Sequence, residues 1–444
     1  MRILIIRPSL GQRHGRRYHT PALLQPLALP ILAALTPPRH RLTAIDERIE
    51  RIPLDQPCDL VALSVCTFSA RRAYEIAAAF RRRGVPVVMG GFHPTLLPDE
   101  AQRHADAIAL GDAEASWPQI VADAEAGSLA PRYGQARLGP AAAVTPDRRA
   151  LAGKRYLPMQ VVEFNRGCPR RCEFCAVRAF YGGRCQRRSV ADVVAELRAT
   201  RPRHVFFADD NIAADLDALK ELLAELIPLK IRWTSQADLR VADDPELLEL
   251  AQRSGCQSLV LGFESLDQRN LAQMGKAWNR ATSYGERLAR LRQAGILVYG
   301  TFVLGYDADG PDVFERTLRF ALDERLFLAN FNPLQPLPGT PLYARLADQG
   351  RLRERHWWLS GGYRWHDALF EPVGMTAEEL TAGCRWAREQ FHSSRSIAQR
   401  FAGSRAHRHR LDNALIYLAS NIVSRLDIRA KSGLALGSAG GDAR

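Results

Sequence analysis

Apolar runs at 2–7, 41–45, 59–65, 85–89 and 107–110 are each long enough for a buried strand. The stretches 70–83 and 113–126 between and after them carry apolar residues at helical spacing. Strands that are apolar at nearly every position are covered on both faces. Alternation with helices of this length predicts a parallel sheet flanked by helices. The pattern returns after Met159, with strand-like runs at 160–165, 204–208, 231–236, 258–262, 297–304 and 328–333. Helix-like segments such as 190–199, 217–226, 245–253 and 312–323 separate them. Six units are too few for a closed eight-stranded barrel and predict an open, partial one. The stretch 127–154 is rich in Gly, Ala and Pro and reads as a linker. The last ~95 residues look helical; Thr376 with Glu379 three positions on predicts a capping box, and 433–444 reads as a disordered end. The chain is thus α/β, with a sheet domain over 1–130, a linker over 131–155, a barrel over 156–345 and a helical extension over 346–444.

Composition narrows this picture. A chain of 444 residues, 46% of them hydrophobic, suffices for two or three domains with real cores. The net charge is +13, but of 61 basic residues only five are lysine and 56 are arginine. That imbalance reflects coding bias more readily than a polyanion partner, so no nucleic acid is expected. The apolar run at the N-terminus is too short for a secretory signal. No run reaches the ~18 apolar residues of a membrane span; the longest candidate, 23–35, is broken by Pro26 and Pro30. Reduced thiols and a cytoplasmic location are expected.

Candidate chemistry gathers at the ends of the strands, where parallel sheets bind ligands. In the first series these ends are Ser64-Val65-Cys66-Thr67, Gly90-Gly91-Phe92-His93-Pro94 and Gly111-Asp112-Ala113-Glu114. In the second series the first strand leads into Cys168, Cys172 and Cys175 at C-x3-C-x2-C spacing. Three thiolates on one loop can hold three irons of a [4Fe–4S] cluster and leave the fourth open. A structural zinc site is the alternative; it needs four closed ligands and would have to enlist Cys185. Asp209 and Asp210 end the second strand, where carbonyls and carboxylates suit an ammonium group or cap the next helix. Gln236 ends the third strand and Arg240 follows it, Glu264 ends the fourth, and Tyr306 and Gln335 close the series as further candidates.

The cysteine loop, with Phe174 just before its last cysteine, resembles the signature of the radical S-adenosylmethionine (SAM) enzymes. The Gly90–Thr95 string and the loops around it resemble the cobalamin-binding domain of the cobalamin-dependent members, and 333–343 resembles the end of many radical SAM barrels. The resemblance implies a Rossmann-like first domain, a partial (β/α)6 barrel, and a [4Fe–4S] cluster, SAM and cobalamin as cofactors. Cys168, Cys172 and Cys175 would hold the cluster. Phe174, Asp209, Asp210, Gln236 and Glu264 would help seat SAM, and Ser64, Thr67, Gly90, Gly91, His93, Gly111 and Glu114 would cradle cobalamin. The Asp-x-His-x-x-Gly motif that supplies cobalt with a histidine is absent. The implied activity is methylation of an unactivated carbon in a secondary metabolite, lipid or tetrapyrrole, driven by a low-potential donor of flavodoxin or ferredoxin type. Radical cyclisation, oxidation or rearrangement without methyl transfer is the runner-up, and an iron–sulfur or cobalamin redox sensor a third reading. The 370–380 segment resembles the extension of radical SAM enzymes that modify hopanoids and related lipids. Trp357, Trp358 and Trp365 are expected to pack this extension on the barrel, with covering an apolar substrate as the alternative. The basic stretch from Arg395 to Lys431 reads as a docked helix, with transient contact to a membrane surface as the alternative.

Overall fold

A computed structural model describes residues 1–13, 16–17, 23–134, 144–408, 410–431 and 433–437. The first domain is one parallel sheet: β1 (Arg2–Arg7), β2 (Arg41–Asp46), β3 (Leu60–Ser64), β4 (Val87–Gly90), β5 (Ala107–Leu110) and β6 (Arg132–Gly134), in the order β2-β1-β3-β4-β5-β6. The order reverses between β1 and β3, so a crevice opens outside their carboxyl ends. Leu4, Ile6, Val61 and Leu63 face one core, Ile3, Ile5, Leu60 and Ala62 the other. That two-sided burial is why these strands are apolar at nearly every position. β6 falls where the sequence reads as linker. It is a three-residue edge strand on β5 that ends at Gly134, too short to show a hydrophobic pattern. The 135–143 part of that stretch lies outside the described residues.

The second domain repeats the parallel theme. β7 (Gln160–Val162), β8 (His204–Phe207), β9 (Arg232–Ala237), β10 (Cys256–Glu264), β11 (Leu297–Leu304) and β12 (Leu328–Pro333) pair in sequence order, every neighbour parallel. This is the open six-stranded barrel expected, with starts and ends within two or three residues of the predicted ones. Helix ends follow local chemistry. Ser189, Asp215 and Asp244 each accept a backbone N–H at a helix start, and Gly255 closes a helix at φ +92.

The C-terminal extension departs from expectation in one respect. Thr376 and Glu379 form the capping box of the Ala377–Phe391 helix as predicted. The tryptophans before it, however, join the core of the first domain. Trp358 donates to Glu100 at 2.9 Å, and Phe68 lies 5.1 Å from Trp357 and 4.8 Å from Trp365. Two of them also touch the barrel: Trp357 donates to the carbonyl of Pro336 at 3.0 Å, and the Trp358 ring lies 6.1 Å from that of Tyr343. Residues 350–376 thus form an irregular strap across both domains, which a composition of aromatics and arginines does not reveal. Ala435–Leu436 pairs antiparallel with the Gly11–Arg13 strand, so part of the predicted disordered end is ordered; 438–444 lie outside the described residues. Among the described residues no helix is long and apolar enough to cross a membrane.

Candidate active site

The cysteine loop leaves the carboxyl end of β7 between two short antiparallel strands, Asn165–Gly167 and Cys185–Arg187. Gly167 stands at φ +83, and a Cβ there would lie 2.1 Å from the Arg184 carbonyl oxygen, so the loop base tolerates only glycine. Cys172 is buried and Cys168 and Cys175 half-buried, all three as free thiols. Cys175 precedes the Ala176–Tyr181 helix; burial pushes its thiol up, opposed by the N–H groups of Arg178 and Val177. Burial pushes Cys172 up to about 12 against the pull of Lys276. Thiols this reluctant to ionise unaided are stabilised as thiolates by binding metal.

The Asp-Asp-Asn turn after β8 anchors this loop. Asp209 is fully buried, and its carboxylate accepts the N–H groups of Phe164 (2.8 Å) and Asn165 (3.1 Å) and the Asn165 amide (2.7 Å). Burial holds its pKa well above the ordinary carboxylate range. Asp210 accepts the Gly167 N–H at 2.7 Å. The Asn211 amide reaches Asp238 at 3.2 Å and lies 3.8 Å from the Cys168 sulfur. Asp209 and Asp210 therefore position the loop with the carboxylate oxygens named here, a different use from seating an ammonium group. The Asp209 carbonyl remains at the strand end, 3.5 Å from the exposed Gln236 amide. Asp238 gathers Arg170 (3.0 Å) and Arg240 (2.9 Å). Burial would raise its pKa, but these arginines hold it below the usual range.

Glu264 lies at φ +65, a strained setting for a residue with a Cβ, where β10 shifts register against β11. Its carboxylate meets Lys276 at 2.7 Å; both are buried. Lys276 also donates to the Gly262 carbonyl at 3.1 Å. A Cβ on Gly262 would lie 2.2 Å from the Glu264 carboxylate, so the glycine makes room for the pair. Burial would lower the Lys276 pKa, but Glu264 and Cys172 carry it upward. Sequence reading missed Lys276: its chain neighbourhood, Met274-Gly275-Lys276, has no motif, and only the fold brings it beside the cysteines. Phe174 is half-buried on the barrel core. Tyr306 is buried, and the Gln335 amide donates to the Pro333 carbonyl at 3.4 Å.

The first domain brings its predicted loops to the same side. A cavity of about 250 Å³ is lined by Ser64, Gly90, Gly91, Gly111 and Glu114 from the sheet and by Glu163, Arg166, Phe180 and Tyr181 from around the cysteine loop. A second cavity, about 480 Å³, opens at the β1/β3 crevice and shares Ser64, Gly91 and Phe92 with the first. Phe92 stacks on Phe180 at 4.4 Å across the domain boundary. Gly91 has φ +106, and a Cβ there would lie 2.8 Å from the Val65 carbonyl oxygen. Thr67 is buried at the start of a single 3-10 turn and lines neither cavity. His93 is a correction: it is fully buried, bonded to Tyr74 (2.8 Å) and Glu100 (3.1 Å), and faces the core. Its place in a glycine loop signalled a ligand; its helix turns the ring inward. No described histidine lines either cavity.

Glu114 is held by Arg166 at 2.6 Å across the two domains. Arg166 also binds Glu163 at 2.6 Å and Asp112 at 3.4 Å. Three carboxylates share one guanidinium, and burial pushes Glu163 up to about 7 and raises Asp112.

The cysteine set fits an iron–sulfur cluster. Cys185 is exposed and sits opposite Gly167 in the flanking hairpin. Among the described residues no three His, Cys, Asp or Glu side chains converge to hold a single ion. Thiolates around a cluster bind different irons and need no common point. The glycine-lined edge fits a bulky planar ligand approached by backbone.

Known proteins resemble this chain in sequence and in fold. The Radical SAM superfamily model matches residues 162–321. Bacteriochlorophyllide d C-12(1)-methyltransferase of Chlorobaculum tepidum is 31% identical over 395 residues, 86% of each chain. The structure of TsrM from Kitasatospora setae with cobalamin and a [4Fe–4S] cluster aligns with TM-score 0.62 at 16% identity, over 79% of this chain and 75% of that one. OxsB, a cobalamin-dependent SAM radical enzyme, aligns with TM-score 0.65 at 13% identity, over 96% and 71%. The chain belongs to the radical SAM superfamily and is an enzyme whose cofactors include a [4Fe–4S] cluster and SAM. Its fold is shared with TsrM and OxsB.

Proposed function

We propose that the chain is a cobalamin-dependent C-methyltransferase that methylates an unactivated carbon of an apolar, tetrapyrrole-class substrate. The observation that carries this reading is the shared space: the carboxyl edge of the first sheet and the residues flanking the cysteine loop at the end of β7 line one interdomain cavity. When bound, the cluster with SAM supplies a carbon-centred radical and cobalamin supplies the methyl group. Cys168, Cys172 and Cys175 hold the cluster, with Asp209, Asp210 and Asn211 fixing the loop they ride on. The Asp209 carbonyl and Gln236 face the methionyl end of SAM, and Lys276 and Glu264 supply charge beside the cluster. Ser64, Gly90, Gly91 and Gly111 would form the cradle for cobalamin. Phe92, Phe180 and Tyr181 wall the cavity and exclude water from a reactive carbon, and holding donor and acceptor in one cavity is what radical transfer requires. The tetrapyrrole class is supported by the 31% identical relative, named for methylating a bacteriochlorophyllide. A flavodoxin- or ferredoxin-type protein supplies electrons.

The test is anaerobic. Protein reconstituted with iron, sulfide and cobalamin is given SAM, a low-potential reductant and a chlorophyllide-type substrate. 5′-Deoxyadenosine and S-adenosylhomocysteine forming in step with a product 14 mass units heavier is the expected result. 5′-Deoxyadenosine without S-adenosylhomocysteine would refute methyl transfer in favour of another radical reaction.

A further inference from the structure

The Leu411–Lys431 helix is turned inside out. Its buried positions are polar or amphipathic: Asn413, Tyr417 and Asn421. Each is satisfied. Asn413 donates to the Gly295 and Ala406 carbonyls at 3.3 and 3.1 Å, Tyr417 to the Ile397 carbonyl at 2.9 Å, and Asn421 to the Phe327 carbonyl at 3.1 Å while accepting from Arg400 at 3.0 Å. The opposite face carries the large apolar side chains. Leu411 is 78% exposed, Leu415 59%, Leu418 40%, Ile422 54% and Leu426 53%. At about 100° per residue these five fall in one sector of roughly 80°. They form a stripe four turns long, and contiguous exposed apolar surface marks an interaction site.

Charge decides between occupants. On the same helical projection Arg429 falls within the stripe and Arg425 about 20° beyond one edge, while Asp412 and Asp427 lie roughly 40° and 100° beyond the other. Arg405, Arg408 and Arg410 precede its first leucine, on a chain whose net charge is +13. A second copy would set arginine against arginine, in a parallel or an antiparallel pairing. An anionic lipid surface would take the leucines below its headgroups and the arginines among its phosphates. We propose that the Leu411–Lys431 helix docks the enzyme on an anionic membrane surface, lying in the interface plane without crossing it. This rests on the helix alone and is independent of the reaction assigned above. It also gives an enzyme for an apolar substrate a direct path to a lipid-dissolved pool.

The test is flotation of the full-length, cluster-loaded protein with vesicles of phosphatidylcholine and phosphatidylglycerol in equal parts, against vesicles of phosphatidylcholine alone. The double substitution Leu415→Glu with Ile422→Glu is run beside it; both side chains are exposed, so the fold, checked by circular dichroism and melting, should persist. The expected result is flotation with the anionic vesicles, weakened by high salt, and at least about a tenfold loss of partitioning in the variant. Wild-type protein that stays with the dense fraction on anionic vesicles overturns the proposal, as does a folded variant that floats equally well. Sedimentation equilibrium separates the remaining case: a concentration-dependent dimer that the same substitutions abolish assigns the stripe to a second copy and also overturns it.

Discussion

The two carboxyl edges that meet in this molecule are made by opposite means. On the barrel side the site is built from side chains that hold one another: Asp209, Asp210, Asn211, Asp238, Glu264 and Lys276 are all engaged within the protein. On the sheet side it is built by leaving side chains out: Gly90, Gly91 and Gly111 line a cavity, and His93, two residues after Gly91, is turned into the core. A small charged cofactor at a cluster needs fixed charges and a pinned loop. A large ligand approached by backbone needs room. The difference predicts that damage on the two sides will separate: barrel substitutions should cost the cluster, sheet substitutions the second cofactor.

The largest effect is expected at Cys172. Cys172→Ala should reduce SAM cleavage by more than about 100-fold, beyond the 10–100-fold typical of residues behind a metal ligand. The measurement is 5′-deoxyadenosine released per mole of protein, with iron content as the companion. Cleavage at the wild-type rate would remove the cluster from this loop. Next is Asp209→Asn, which sets an amide donor against either the Phe164 N–H or the two Asn165 N–H groups. The mismatch should cost about 3 kcal/mol in a denaturant melt, since buried donors lose their acceptor. It should lower iron content although Asp209 is not a cluster ligand. A direct ligand role for its carboxylate would instead leave stability unchanged while SAM affinity fell.

Gly91→Ala tests the other edge. The added Cβ meets the Val65 carbonyl from a left-handed backbone, at a cost of about 2 kcal/mol. Cobalamin uptake, read from the visible spectrum of the loaded protein, should fall, while SAM is still cleaved to 5′-deoxyadenosine. Loss of both together would mean that the two edges are not separable.

The barrel and its cysteine loop were readable because their signals are local. Three cysteines at fixed spacing, and six strands with helices between, survive in one dimension. The roles of Asp209 and Asp210 were less readable, since a carboxylate at a strand end looks alike whether it faces a ligand or the loop behind it. Lys276 and Arg166 were invisible as site residues. Each matters through partners far away in sequence, Glu264 and Cys172 for one, Glu114 and Asp112 for the other. The tryptophan strap failed for the same reason: aromatics announce burial but not against what. His93 misled because a glycine-rich loop predicts an open backbone and says nothing about where the next side chain turns.

The smallest effect separates the two domains by pH. Glu163, at the shared boundary, is pushed by burial up to about 7 from an ordinary 4.5. The native state therefore holds this proton more tightly than the unfolded chain does, and stability falls as pH rises from about 4.5 to about 7, then levels. Asp112, also raised, adds to the same slope. Glu100, inside the first domain, has the opposite sign. Burial would raise it, but His93, Trp358 and Tyr74 hold it down at about 2. Its contribution is full above about 4.5 and is lost as pH falls towards 2. Glu163→Gln should flatten the first slope by on the order of 1 kcal/mol, because Arg166 is shared with two other carboxylates, and leave the acid limb untouched. Denaturant melts of both proteins at pH 5, 6, 7 and 8 give the answer. Parallel curves at every pH would mean that Arg166 keeps Glu163 ionised throughout, and that the boundary between the two edges is an ordinary ion pair.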